Sequence, residues 1–508
     1  MEHDGYSNVR IEGSAFSKPR LLCLGLTFFG AFILLLAIGA GGPDVWVVEG
    51  TNESATVTLV AGSTSNPFGK DRTIKQENQI FSVNSRISKP VFAGINTTDT
   101  HISATLGLEL TVTADGKDVV DGETVYRDIH CYPDAPSENG TQWCSWFDTY
   151  TVDLIDATQY VITGWLIGPD YWTLYQLNDT ALHTVQPASV RVETQVWYVN
   201  DAYTKFEMGW KYFFVVVTFV AALLPRWGYY MKLRTTRRST WSFQQKWTLT
   251  LLIGLFWFND PFFAARVYSE GGTQLGFTAF YMLCVLAFMS MLLLWWLCVF
   301  SDMVLIGARE GAGGGQGSAL QLHGRCYWAP KAILVAGITL VNAGAYFYYR
   351  YTKTVSPEYD GVSDAKTQAK VFAGLLGTLM AVYLVWLAVA ILRGCVYVQR
   401  LSAAYQFLYS ITMVTFFISI VGVFTAAFYP WSTSGITFLG FHGLYNLYIW
   451  TLAFAYAPTG AERLNFGIGM SDRELMSVSA PMPAKPLSLG FNSNGAGRAF
   501  SPDRDFHV

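Results

Sequence analysis

Eight long apolar runs, separated by polar connections, set the plan of this chain. The first is Leu21–Ala40, and the others lie at about 209–229, 247–268, 277–301, 330–349, 369–392, 405–429 and 436–457. A helix crosses a bilayer with roughly 20 mostly apolar residues, so each run predicts one transmembrane helix. The stretch between the first two runs follows a different period. Leu106, Leu108, Leu110 and Val112 alternate onto one face, Asp115-Gly116 is a hairpin turn signal, and Val119–Tyr126 answers the first run. Thr149–Ile155, Gln159–Ile167 and Ser189–Val199 add further strands. Roughly seven or eight short strands of this kind predict a β-sandwich. The expected layout is a polar tail over 1–20, a first membrane helix over 21–42, an all-β domain over 43–207, a seven-helix core over 208–457 and a disordered, Ser/Pro/Gly/Asn-rich tail over 458–508.

Charge adds an orientation. Lys232, Arg234, Arg237, Arg238 and Lys246 fill the first connection after the β segment, and Arg393 and Arg400 the fifth, whereas 269–276 and 430–435 contain no Lys or Arg. That alternation obeys the positive-inside rule and places both termini in the cytosol. The loop 350–368 dissents, with Arg350, Lys353 and Lys366 on the expected outer side. About 20 apolar residues in the first run exceed the 7–15 of a signal-peptide core, which favours a retained helix. The glycine-rich stretch Gly307–Gly317 reads as a flexible insert.

Composition agrees with a polytopic α-helical membrane protein: 51% hydrophobic, 14% charged and a mean hydropathy of +0.27, against roughly 25% charged in soluble domains. A net charge of −3 without a basic stripe excludes nucleic acid as a partner; membrane lipid is the partner the composition does imply. The four acceptor sequons, at Asn52, Asn96, Asn139 and Asn178, all fall in the β segment and mark it as lumenal or extracellular. Cys131 and Cys144 are the pair in that oxidising compartment and predict one disulfide. Trp143, Trp146 and Trp172 read as core aromatics or as a binding face. No GxSxG, HExxH, P-loop or CxxC pattern occurs, so enzyme chemistry is disfavoured and no cofactor is expected. A single His in the membrane runs rules out a multi-histidine metal site there.

One stretch concentrates the polar chemistry of the membrane. In Phe256–Phe263, Asn259 and Asp260 precede Pro261, which leaves the carbonyl of Trp257 without its helical donor, so the helix should bend or open. Asp260 reads as the one carboxylate deep in the membrane, while Arg266 is near enough to the end of its run to snorkel outward. An ionisable group at that depth needs a partner in the bundle interior, either as a lock between helices or as a ligand, ion or proton site. His442 and Asn446, one turn apart on the last helix, lie at comparable depth and are the expected partners of Asp260, with Asn342 beyond the middle of its own run.

The chain resembles the Wntless-related membrane proteins. The resemblance rests on Tyr212–Phe219, Gln245-Lys246-Trp247, Asn259-Asp260-Pro261-Phe262-Phe263, Gly443-Leu444-Tyr445-Asn446 and Thr451–Tyr456, and it covers the helical core. It implies a lumenal GOLD-like sandwich above a seven-helix core, residence in the Golgi, vesicles or plasma membrane, and a role in binding a lumenal ligand or escorting a secreted, in some relatives lipid-modified, protein cargo. An ion channel or transporter, and a seven-helix signalling receptor, are the alternatives.

Overall fold

A computed structural model describes residues 18–457, apart from 53–55, 61–80, 88–100, 115, 132–136, 139–140, 153–158, 168–171, 176–180, 186–191, 225–227, 236–240, 242, 270, 312–324, 356–366, 401–402 and 429–433. Asn96, Asn139 and Asn178, the centre of the glycine-rich insert and the tail over 458–508 therefore lie outside the described residues. Helix α1 (Lys18–Ala40) leads into twelve strands. These are β1 (Trp46–Asn52), β2 (Thr56–Val60), β3 (Phe81–Ile87), β4 (His101–Ala114), β5 (Lys117–Cys131), β6 (Ser137–Glu138), β7 (Thr141–Gln142), β8 (Phe147–Val152), β9 (Gln159–Ile167), β10 (Trp172–Tyr175), β11 (Ala181–Val185) and β12 (Val192–Val199). The acceptor Asn52 closes β1.

Every described strand pair is antiparallel. One sheet runs β1-β12-β3-β8; a second runs β11-β10-β4-β9-β2, with β5 on the other edge of β4. The β4–β5 hairpin turns where Asp115-Gly116 predicts, with Ala114 opposite Lys117 and Gly116 at φ +75, a conformation glycine adopts without a Cβ clash. Cys131 at the end of β5 is bonded to Cys144 just before β8, their Cα atoms 4.2 Å apart. Trp143 and Trp146 flank the buried Arg86 guanidinium of β3 at 4.8 and 4.6 Å, so these two rings pack on an internal cation. The side chain of Trp172 lies outside the described residues.

The helical part follows without a linker. It comprises α2 (Asp201–Leu223), α3 (Tyr229–Arg234), α4 (Phe243–Phe258), α5 (Phe263–Tyr268), α6 (Gly271–Gly311), α7 (Arg325–Val355), α8 (Thr367–Tyr397), α9 (Ala403–Phe428) and α10 (Gly435–Ala455). Among the described residues, seven segments are long and apolar enough to cross a membrane: α1, α2, α4 with α5, α6, α7, α8 and α9. Helix α10, 21 residues long and without a charged side chain, completes the bundle. The apolar run 277–301 is only the middle of α6, which continues through Gly311 into the stretch expected to be a flexible insert. Glycine lowers helix propensity by roughly 1 kcal/mol but does not forbid a helix already propagating from a buried span.

The main core is built by α4, α6, α8, α9 and α10 around Leu251, Phe288, Trp295, Tyr383, Tyr448 and Leu452. The indole of Trp295 donates to the Tyr448 hydroxyl at 3.1 Å, and Tyr448 also meets Thr412 Oγ1 at 3.0 Å. Buried hydroxyls and indoles of this kind need partners in a medium without water. Helix α1 is part of this bundle. A Cβ on Gly39 would lie 2.6 Å from the Gly435 carbonyl oxygen, and one on Gly443 2.6 Å from Leu35 Cδ1, so α1 and α10 approach at backbone distance through small residues.

Candidate intramembrane polar site

The site is built where α4 stops. Asn259 N still donates to Leu255 O at 3.0 Å, but Asp260 N donates to Trp257 O at 3.1 Å, a shorter turn than the helical one. The carbonyl that Pro261 deprives of a donor is thus taken up by Asp260. Asp260 has φ +55, the left-handed region, which costs a non-glycine residue roughly 1–2 kcal/mol and which Asp tolerates better than most. Phe263 N then donates to Asp260 O at 3.1 Å, and the helix resumes as α5. The break sends two neighbouring side chains to different helices.

Asn259 faces α10. Its Nδ2 donates to Asn446 Oδ1 at 2.8 Å, and Asn446 Nδ2 donates back to Asn259 Oδ1 at 2.9 Å. Both residues are 0% exposed. Thr218 Oγ1 of α2 donates to Asn446 Oδ1 at 3.3 Å and accepts from the Trp450 indole at 3.2 Å, so three helices meet on one amide pair.

Asp260 faces α2 and α5. Its Oδ2 lies 3.2 Å from both Nε and Nη2 of Arg266 and 3.7 Å from Lys211 Nζ. Lys211 Nζ is also 2.8 Å from Glu207 Oε1. The result is a relay, Glu207–Lys211–Asp260–Arg266, of two acids and two bases, its central Lys211 and Asp260 buried and its ends half-buried. The rings of Phe263 and Tyr281 sit against both cations, at 4.3 and 4.8 Å from Lys211 Nζ and at 4.9 and 5.0 Å from Arg266 Cζ. The Tyr212 hydroxyl accepts from Ala264 N at 3.0 Å, a second tie between α2 and α5.

Several expectations change here. Asp260 pairs with Arg266 and Lys211, not with His442 or Asn446; the left-handed turn points it to α2, and Asn259 takes Asn446 instead. Arg266 turns inward, its side chain 14% exposed, because a carboxylate six residues back outweighs the pull of the interface. His442 is held by rings: it stacks on Phe258 at 4.8 Å and lies 4.6 Å from Phe438. Asn342 donates to Ile338 O of its own helix at 3.0 Å and does not join the cluster. Nor is Asp260 the one interior acid. Asp302 of α6 is 6% exposed and accepts the Tyr327 hydroxyl at 2.5 Å. Lys211 and Glu207 escape a reading of the apolar runs because they stand at the head of one; their i,i+4 spacing on the same helix was the available signal. Among the described residues no group of three His, Cys, Asp or Glu could hold a metal ion.

The fold and this site define a multi-pass α-helical membrane protein with a charged centre enclosed in its bundle. Residues 200–460, about half the chain, match the family model described as Wntless-like, transmembrane domain, and the chain belongs to that family. Human transmembrane protein 181 is 26% identical over 282 residues, a match covering 51% of this chain and 54% of that protein. The chain thus spans about half the length of that relative. The family region begins at the last residue before α2 and contains the whole polar cluster.

Proposed function

We propose that the protein is a receptor of the secretory pathway that binds a lumenal ligand or escorts a secreted protein cargo. In this reading the sheets form a GOLD-like sandwich facing the lumen or exterior, both termini are cytosolic, and Asp260 with Asn259, Pro261, Asn446 and the ring of His442 forms the intramembrane half of the site. Asn342 falls outside it. Membership of the Wntless-like family supports the receptor class. The observation that carries the site is the break at Asp260, where a relay of four charges centred on the buried Lys211–Asp260 pair holds α5 against α2. Buried ion pairs are a poor source of stability compared with apolar packing, and interior charges in membranes mark function by default.

The test is photo-crosslinking in cells followed by purification, comparing the wild-type chain with Asp260→Asn at matched surface abundance. Lumenal proteins or lipids recovered with the wild type and lost with the variant support the reading. Equal recovery from a normally abundant variant removes Asp260 from the site. Discontinuous membrane helices also build transporter sites, and the interruption at Asn259–Phe262 makes transport the second reading. A current or ion flux in proteoliposomes that Asp260→Asn abolishes would replace the receptor reading.

A further inference from the structure

The sheets and the charged relay share one rigid element. Strand β12 ends at Val199 and α2 begins at Asp201, leaving Asn200 as the only residue between them. Asn200 is spent on the joint itself. Its N–H donates to Val45 O at 2.8 Å, and its side-chain oxygen accepts from Ala202 N at 3.0 Å as the helix cap. Strand β1 pairs with β12 from Trp46↔Val199 onward, so the chain leaving α1 and the chain entering α2 meet as hydrogen-bonded neighbours. The joint has its own apolar core. Val45, Val199, Tyr203, Phe214, Leu35, Phe438 and Leu439 are buried together, with Trp46, Phe206 and Trp210 packed on them. No flexible tether intervenes to absorb a rotation.

At the other end of this element α2 carries the grip on α5. Lys211 lies ten residues into the helix, roughly 15 Å from its start by helix rise. Lys211 reaches Asp260, Tyr212 holds Ala264 N, and Thr218 contacts the Asn446 amide one helix away. The receiving element is a helix break held at a left-handed Asp260, a strained conformation that its surroundings must maintain. We infer that β12 and α2 act as one lever, so that displacement of the β1-β12-β3-β8 sheet moves Lys211 and Tyr212 and thereby releases or tightens α5 at Asp260. The lever rests on reading the Asp260 cluster as the site, and supplies its regulation.

The experiment is hydrogen–deuterium exchange on the full chain in nanodiscs, reading the amides of α5. Three chains are compared: wild type, a Gly-Ser-Gly-Ser insertion between Val199 and Asn200, and Lys211→Met. The same insertion after Gly116, whose Cβ direction is open, serves as the control. The lever predicts that the 199/200 insertion raises α5 exchange at least tenfold, toward that of Lys211→Met, while α8 and the control stay at wild-type rates. If the insertion leaves α5 at the wild-type rate while Lys211→Met raises it, the lever is wrong and the charged relay stands. If Lys211→Met also leaves α5 unchanged, the relay does not hold that helix and both readings fall. Should the insertion loosen α8 as well, Asn200→Pro replaces it under the same criteria, since at φ −63 proline fits the backbone while removing both the N–H bond to Val45 and the side-chain cap without changing chain length.

Discussion

The reciprocal amide pair between Asn259 and Asn446 permits a quantitative test of how this bundle is held together. The two bonds, at 2.8 and 2.9 Å, join fully buried side chains on α4 and α10. Hydrogen bonds between membrane helices contribute about 0.6 kcal/mol each on average and up to about 1.7, so two bonds predict a coupling energy of about 1–2 kcal/mol. The single variants should differ. Asn259→Ala leaves Asn446 with donors and acceptors still engaged, through Thr218 at 3.3 Å and the His442 carbonyl at 2.8 Å. Asn446→Ala leaves Asn259 only a 3.5 Å contact to Thr218 and strips its oxygen of the Asn446 donor. An unpaired buried amide costs about 1–3 kcal/mol, so Asn446→Ala should destabilise by about 2–4 kcal/mol and Asn259→Ala by about 1–2. Reversible unfolding in mixed SDS micelles measures all three variants. A double mutant whose loss equals the sum of the singles within about 0.3 kcal/mol would refute the direct pairing.

Three further outcomes follow from the same geometry. Gly39→Ala places a Cβ against the Gly435 backbone at 2.6 Å and should lower thermal stability more than Gly443→Ala, whose clash is with the movable Leu35 Cδ1; Gly30→Ala, with nothing within 4 Å, should be neutral or slightly stabilising in the same melt. Lys211→Met removes one partner from a buried pair and should cost about 3–5 kcal/mol, with Lys211→Arg recovering part of it; a loss under about 1 kcal/mol would show that Arg266 alone satisfies Asp260. Cys144→Ser opens a loop with a sequence separation of 13 and should destabilise the fold by about 2–4 kcal/mol, read as a lower melting temperature than the wild type; an unchanged melt would show that the loop closure contributes nothing.

The helices were legible because membrane hydrocarbon imposes one rule, a long apolar helix, and among the described residues seven of the eight expected runs meet it, while the eighth forms the 21-residue helix α10. The β4–β5 hairpin was legible through Asp115-Gly116, and the pairing of Cys131 with Cys144 through the compartment expected from the sequons. Partnership inside the bundle was not. Asp260 and Asn259 are neighbours in sequence, and which of them turns to α10 is decided by a single positive φ that no pattern of residue types announces. The quoted family motifs proved informative in a different sense, since they contact one another: Asn259 meets Asn446, and Gln245 Nε2 reaches the Tyr456 carbonyl at 3.3 Å. Strands β1, β2, β3, β10 and β11 carry too little alternation to be named in advance, and their register comes from long-range pairing.

The close backbone approach of α1 to α10 has a consequence for biosynthesis. Helix α1 leaves the ribosome well before its main neighbour α10, which is made only after everything between Ala40 and Gly435. At ~5–20 residues per second that wait is roughly 20–80 s. Throughout it the glycine face of α1 stands open to lipid or to a membrane chaperone, and any truncated product lacking α10 keeps it open, a ready mark for quality control to read.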